Sequence, residues 1–258
     1  MLGQIVQKSA SVSRVRAATL MRGLFSFIHP PTCAGCQVLT LRHHALCPDC
    51  WSGFRQIERP YCEILGSPFA YDEGEGAVSP EAIADPPVFD RLRSVALYEG
   101  MARQLVHDLK YRDRVDLAPM MASWMLRAAA PEVAGADGVV AVPLHRMRMF
   151  RRMFNQSAEL ARHLARQSGK PFLAEVLVRR RRTEQQVGLT AKQRALNVRG
   201  AFEVPKAHAD LVFGRRLVLI DDVYTTGATV SAATSVLKRA GAAEVTVLTF
   251  ARALSGPI

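Results

Sequence analysis

Apolar runs bounded by glycine, proline and polar clusters alternate along this chain with segments whose apolar positions recur every three to four residues. Short runs rich in Val, Ile and Leu predict strands at 94–98, 138–142, 172–178, 217–220 and 244–250. Helical periodicity predicts helices at 100–111, 117–130, 155–167 and 230–240. In the third of these, Leu160, Ala161 and Leu164 share a face; in the last, Val230, Ala233, Val236, Leu237 and Ala240 do, and Gly241 closes it. Strands alternating with helices imply an α/β fold, a doubly wound parallel sheet with its ligand crevice at the C-terminal ends of the strands. The sequence displays no internal repeat.

Ahead of this pattern the chain reads differently. Residues 66–90 are rich in glycine, proline and acidic side chains (Gly66, Pro68, Gly74, Gly76, Pro80, Pro86, Pro87), which predicts a linker over 58–90. The expected division is a basic helix with a small cysteine module over 1–57, the linker, and an α/β domain over 91–258. Trp51 and Phe54 are expected on the outer face of the cysteine module. The formal net charge is +11, mostly from arginine. That suits a polyanionic partner or a basic solvated surface. No apolar run approaches membrane-spanning length, so no membrane insertion is expected. The first 48 residues lack acidic side chains, and Lys8, Arg14, Arg16 and Arg22 stand among small and apolar neighbours. They read as an amphipathic structural helix or a transit-type segment, not as a secretory signal. The expected location is cytoplasmic.

Two C-x-x-C pairs, Cys33/Cys36 and Cys47/Cys50, can each form a knuckle that aims both thiolates at one ion. Together they predict a closed Cys₄ structural zinc site in a small zinc-ribbon-like domain. His43 and His44 lie between the knuckles and read as surface residues. Cys62 is unpaired and reads as a small buried residue.

The richest segment is 217–229. A buried strand leads into Asp221 and Asp222, then Val223, Tyr224, Thr225, Thr226, Gly227, Ala228 and Thr229 at the start of a helix. Paired carboxylates can accept hydrogen bonds from neighbouring sugar hydroxyls. Hydroxyl side chains, turn amides and a helix N-terminus can hold a phosphate. An ordinary strand–turn–helix is the plainer alternative. Two arginine-rich segments could serve the same crevice. One carries Arg148 and Arg152 before Asn155 and Gln156; the other carries Arg182, Gln186 and Arg194. Each reads as an anion clamp or a solvated loop, and Asn155 also reads as a helix cap. Lys110 reads as a cation at a helix end.

The 217–229 run resembles the phosphoribosyl-pyrophosphate (PRPP) motif of type I phosphoribosyltransferases. The whole chain resembles the ComF (competence protein F) family. The matching residues are Cys33, Cys36, Cys47, Cys50 and Trp51; Leu109-Lys110-Tyr111; Val142-Pro143-Leu144; Arg152 to Gln156; Arg182-Thr183 and Gln186; Arg194, Asn197 and Gly200-Ala201-Phe202; and 217–229. The resemblance implies a type I phosphoribosyltransferase sheet in which Asp221 and Asp222 hold the ribose hydroxyls as the catalytic pair. Residues 223–229 then wrap the 5-phosphate, and the two arginine-rich loops meet the pyrophosphate. It implies structural Zn²⁺, and Mg²⁺ accompanying PRPP. It also implies a role in single-stranded DNA uptake, with competence proteins as partners. The alternative is an active transferase that moves ribose 5-phosphate to a nitrogenous acceptor. Trp51, Phe54 and Phe154 are candidate stacking residues for single-stranded DNA. Two positions depart from the family pattern. Met153 stands where a glycine is usual, and of the further cysteine pairs only Cys62 remains, which implies a single zinc.

Overall fold

The computed structural model describes residues 30–144, 154–180, 193, 198 and 200–254. Two compact units divide after Trp51. The first unit is a short ribbon. A bridge from Thr32 to Leu39 forms its hairpin, a bridge from Cys33 to Ala45 returns the chain, and helix α1 (Pro48–Ser52) closes it.

The second unit is built on four parallel strands, β1 (Arg91–Leu97), β2 (Gly138–Ala141), β5 (Arg216–Tyr224) and β6 (Glu244–Arg252), in the order β1-β6-β5-β2. These strands are almost wholly buried, as continuous apolar runs flanked by helices should be. Around them lie α2 (Pro80–Ala84), α3 (Gly100–Tyr111), α4 (Ala118–Ala128), α5 (Ala130–Gly135), α6 (Gln156–Ser168) and α7 (Ala228–Arg239). A two-residue hairpin, β3 (Val178–Arg179) with β4 (Phe202–Glu203), stands apart from the sheet. Alternate β5 and β6 residues face opposite layers. Leu217, Leu219, Val245 and Val247 pack with Val230, Ala233 and Leu237 of α7. On the other face Phe250 stacks on Trp124 of α4, with centroids 6.1 Å apart. Each fully buried Leu of this kind contributes roughly 1.5–3 kcal/mol.

The position of the site follows from the crossovers. From β2 the chain runs through α6 to Phe172, which makes a parallel bridge to Val139 beyond the β2 edge. From β5 it runs through α7 to β6, in the opposite direction along the sheet. The chain therefore diverges between β2 and β5, and their C-terminal ends form the switch-point crevice where ligands bind in such sheets.

The elements differ from the sequence reading in several places: β1 begins at Arg91 rather than at 94, and the expected helix 117–130 breaks at Ala129 into α4 and α5. Residues 172–178 form no strand: Phe172 makes its single bridge, and only Val178–Arg179 is extended in pairing. β5 does not stop at Ile220 but continues through both aspartates to Tyr224, because its ladder to β6 stays in register as far as Tyr224–Arg252. Residues 58–90 carry turn residues yet also Cys62, Leu65, Ala82 and Phe89, all buried in the same core as Leu92 and Leu219. Apolar side chains spaced among the glycines and prolines hold this segment down.

Candidate functional site

Asp221 and Asp222 project from the C-terminal half of β5 into the crevice, so their backbone is fixed by the sheet rather than by a turn. Neighbouring strand residues point in different directions, and the two carboxylates have different partners. Asp221 Oδ1 accepts from Ser157 Oγ (2.9 Å) and from the Asp222 backbone N–H (3.0 Å). Asp222 Oδ1 lies 2.7 Å from Lys110 Nζ, at the C-terminal end of α3. Burial, and then the charge of Asp222, push the Asp221 carboxyl up to about 7, against the pull of Lys110 and Ser157. Burial works to lower the Lys110 ammonium, but the Asp222 charge outweighs it and holds Lys110 above the usual lysine value. The pair is therefore an incompletely neutralised acidic centre: two enclosed carboxylates share one ammonium.

The turn after Tyr224 completes a cavity of about 300 Å³ walled by Tyr98, Lys110, Tyr111 and residues 221–230. Gly227 sits at φ 73°, and a Cβ there would lie 2.7 Å from Tyr224 Oη. Only glycine turns the chain here without displacing the tyrosine. Gly227 is also the cap position of α7, and no side chain caps that helix. A three-turn helix thus opens into the cavity from a cap residue without a side chain, which is an arrangement that receives an anion. Tyr224 is held from below: Arg252 lies 5.4 Å from its ring and Phe89 meets it edge-on at 6.2 Å.

Asn155 and Gln156 arrive from the β2 side. Asn155 Nδ2 donates to the Val142 carbonyl (3.1 Å) and its Oδ1 accepts from Ser157 N (3.1 Å), so it caps α6 and ties it to the end of β2. Gln156 is buried, and its Nε2 has no hydrogen-bond partner among the described residues. Arg148, Arg152, Arg182, Gln186 and Arg194 lie outside the described residues, as do residues 1–23. The structure thus brings together 221–229 with Lys110, Tyr98 and Ser157. Sequence reasoning placed Lys110 merely at a helix end and did not single out Tyr98 or Ser157. A lysine ending an amphipathic helix carries no local sign of which strand it will face.

In the ribbon, the sulfurs of Cys33, Cys36, Cys47 and Cys50 all lie within 4.8 Å of one another. Cys33 Sγ accepts from the N–H groups of Cys47 (3.2 Å) and Gly35 (3.4 Å). Burial opposes its ionisation, but these backbone donors bring Cys33 down to about 6. Four convergent sulfurs with backbone N–H support suit a structural tetrahedral ion, with no open position for catalysis. His43 and His44 are exposed and outside this cluster. Among the proposed stacking residues, Trp51 is exposed, Phe154 is partly buried, and Phe54 is excluded. Phe54 is buried with its ring 5.0 Å from Trp124, in the second unit rather than on the cysteine module. Among the described residues no helix is long and apolar enough to cross a membrane.

Comparison with known proteins agrees with this geometry. Residues 24–81 match the family model described as a double zinc ribbon domain, and residues 155–258 match the phosphoribosyl transferase domain. The chain is 33% identical over 233 residues to the DNA utilization protein YhgH of Escherichia coli, covering 87% of this chain and 98% of that protein. It is 26% identical to competence protein F of Haemophilus influenzae, covering 83% and 93% of the two chains. It is 28% identical to competence protein ComFC of Bacillus subtilis, covering 80% and 84%.

Proposed function

Since the chain belongs to the family of competence protein F and the DNA utilization proteins, which joins a zinc ribbon to a phosphoribosyltransferase domain, we propose that it binds PRPP or a related ribose 5-phosphate at 221–229 and acts in the uptake or processing of single-stranded DNA. One observation carries the ligand. The unevenly neutralised pair Asp221/Asp222 and the uncapped start of α7 line the same cavity, one suited to a diol and the other to a phosphate. In this reading Asp221 and Asp222 accept hydrogen bonds from the two ribose hydroxyls. The α7 amides, with the Thr225, Thr226 and Thr229 hydroxyls, hold the 5-phosphate. Lys110 balances the acidic pair while the site is empty of ligand and remains as a counter-ion near the anomeric side. The carboxylates and a polyphosphate together are a fitting oxygen donor set for Mg²⁺, which supplies charge neutralisation of the pyrophosphate when bound with it. The arginines at 148, 152, 182 and 194, with Asn155, Gln156 and Gln186, complete the proposal as the pyrophosphate side.

The DNA role draws on the names of the relatives and on the net charge of +11. Competence proteins are the partners expected with it, in the cytoplasm. A second reading, transfer of the phosphoribosyl group to a nitrogenous acceptor, draws on the cavity wall formed by Tyr98 and Tyr111, against which a flat ring could lie.

Calorimetric titration with PRPP, with and without Mg²⁺, tests the ligand. Magnesium-dependent binding that Asp222→Ala removes is expected; no binding by the unaltered chain refutes it. Binding to single-stranded DNA should fall steeply with salt and survive Asp221→Asn. Release of pyrophosphate on adding candidate bases would establish turnover.

A further inference from the structure

Residues 60–84 retrace the backbone of residues 31–52. In the cysteine ribbon, Thr40 N–H donates to the Pro31 carbonyl (2.9 Å), Cys33 N–H to Val38 (2.7 Å), and Gln37 N–H to Cys33 (3.1 Å). Gln37 takes φ 66° at the turn, and Thr32 bridges Leu39. In the later segment Phe69 N–H donates to Pro60 (3.0 Å), Cys62 N–H to Ser67 (2.9 Å), and Gly66 N–H to Cys62 (2.7 Å). Gly66 takes φ 59°, and Tyr61 bridges Pro68. Every partner is displaced by the same interval.

The return limbs match as well. Cys47 N–H donates to Cys33 Sγ at 3.2 Å, and Ser79 N–H to Cys62 Sγ at 3.2 Å. Each of these residues opens a five-residue helix that begins with proline and an acid, Pro48-Asp49 in α1 and Pro80-Glu81 in α2. Hydrogen bonds from Trp51 N–H to Cys47 and from Ile83 N–H to Ser79 close the corresponding turns.

Aligned on these bonds, the ligand positions Cys33, Cys36, Cys47 and Cys50 correspond to Cys62, Leu65, Ser79 and Ala82. We infer that residues 60–84 are a metal-free second copy of the ribbon, in which apolar packing has replaced the ion and the knuckle has become a buttress for the phosphate loop. One sulfur remains of four, too few donors for a closed zinc shell. That sulfur accepts from two backbone donors, Leu65 (3.3 Å) and Ser79 (3.2 Å). Cys62, Leu65 and Ala82 are buried in a continuous core with Phe89 and Leu92.

The knuckle is fastened to the sheet. Leu92 N–H donates to the Ile64 carbonyl (2.7 Å), and a Cβ on Gly66 would lie 2.4 Å from the Leu92 carbonyl oxygen. The Leu65 carbonyl accepts from Arg252, whose guanidinium supports the Tyr224 ring beneath Gly227. What was a metal knuckle thus reaches the turn that holds the 5-phosphate.

The test restores the missing ligands. The triple variant L65C/S79C/A82C should gain one equivalent of zinc over the unaltered chain, and should show an added tetrahedral thiolate–cobalt absorption on Co²⁺ substitution. A folded triple variant with no gain overturns the proposal, as does an unaltered chain that already holds two equivalents. Hydrogen exchange on the unaltered chain tests it independently of that variant. After chelation, residues 31–51 should lose protection while 60–84 keep it. Loss of protection in both overturns it.

Discussion

The two ends of the parallel sheet use their charged side chains in opposite ways. At the N-terminal end, a cavity of about 660 Å³ is lined by Arg59, Arg91, Arg93, Arg127 and Arg216 together with Glu58, Glu63, Glu132 and Glu244. There most of the carboxylates are paired. Buried Arg93 reaches Glu63 (2.7 Å) and Glu132 (2.6 Å), Arg91 pairs with Glu244, and Lys238 meets Asp90 (2.6 Å). At the C-terminal end the cavity is less than half as large, yet Asp221 and Asp222 share a single lysine beside a helix that no side chain caps. On the reading proposed above, the smaller end takes the ligand, because its charges are not already satisfied by one another. Cavity size alone would point to the other end.

The largest effect should come from breaking the matched end. Arg93→Ala removes the buried cation that bridges partly buried Glu63 and Glu132 and should cost about 3–5 kcal/mol of stability, read from denaturant unfolding, without altering PRPP affinity in the folded fraction. A variant as stable as the parent would show that the network is not structural.

At the other end the effects should invert. Asp222→Asn removes a charged acceptor worth about 1.5–3 kcal/mol, so PRPP affinity should fall by about 10- to 100-fold. The loss of stability should stay below that of Arg93→Ala, because the Asp221 carboxylate still acts on Lys110. Unchanged affinity would abolish the functional contrast between the two ends.

A third prediction concerns pH. Asp221 binds its proton more tightly in the folded chain, at about 7, than in the unfolded chain, at about 3.9. Its contribution to stability is therefore fully present below pH of about 4 and is lost as pH rises through 7. Affinity for PRPP with Mg²⁺ should rise over the same window as the carboxylate forms. Asp221→Asn should flatten the part of the stability profile between these values; an unchanged profile would place the titration elsewhere. The smallest effect belongs to Arg91→Ala. It removes a partly exposed pair with Glu244 and should cost under about 1 kcal/mol, measured by the same unfolding assay.

Much of this fold was legible because its signals are local. The helix 100–111 and the strands near 138 and 244 appear at or close to their expected bounds, since their apolar periodicity meets clear breaks. The four cysteines and the 217–229 run were equally readable, being contiguous chemistry. Other features depend on distant parts of the chain. Whether β5 ends before or after Asp221 is decided by its ladder with β6, and the duty of Lys110 by which strand α3 ends against. The repeat of the ribbon was hidden because its copy keeps the backbone bonds while changing three of the four diagnostic side chains. Glycines and prolines that suggested a linker are, in that copy, the residues of the knuckle itself.

The continuation of β5 to Tyr224 has one more consequence. A binding loop must be ordered each time a ligand arrives, and that entropy is subtracted from affinity. Here the Asp221 and Asp222 backbone is locked to β6, with Asp221 opposite Thr249 and Val223 opposite Ala251. The spacing of the two acceptors is consequently a rigid gauge, set once at folding. On the reading proposed above, it measures a vicinal diol at every encounter without conformational search. Occupancy should therefore leave the exchange protection of this strand nearly unchanged, and any rigidification on binding should appear elsewhere.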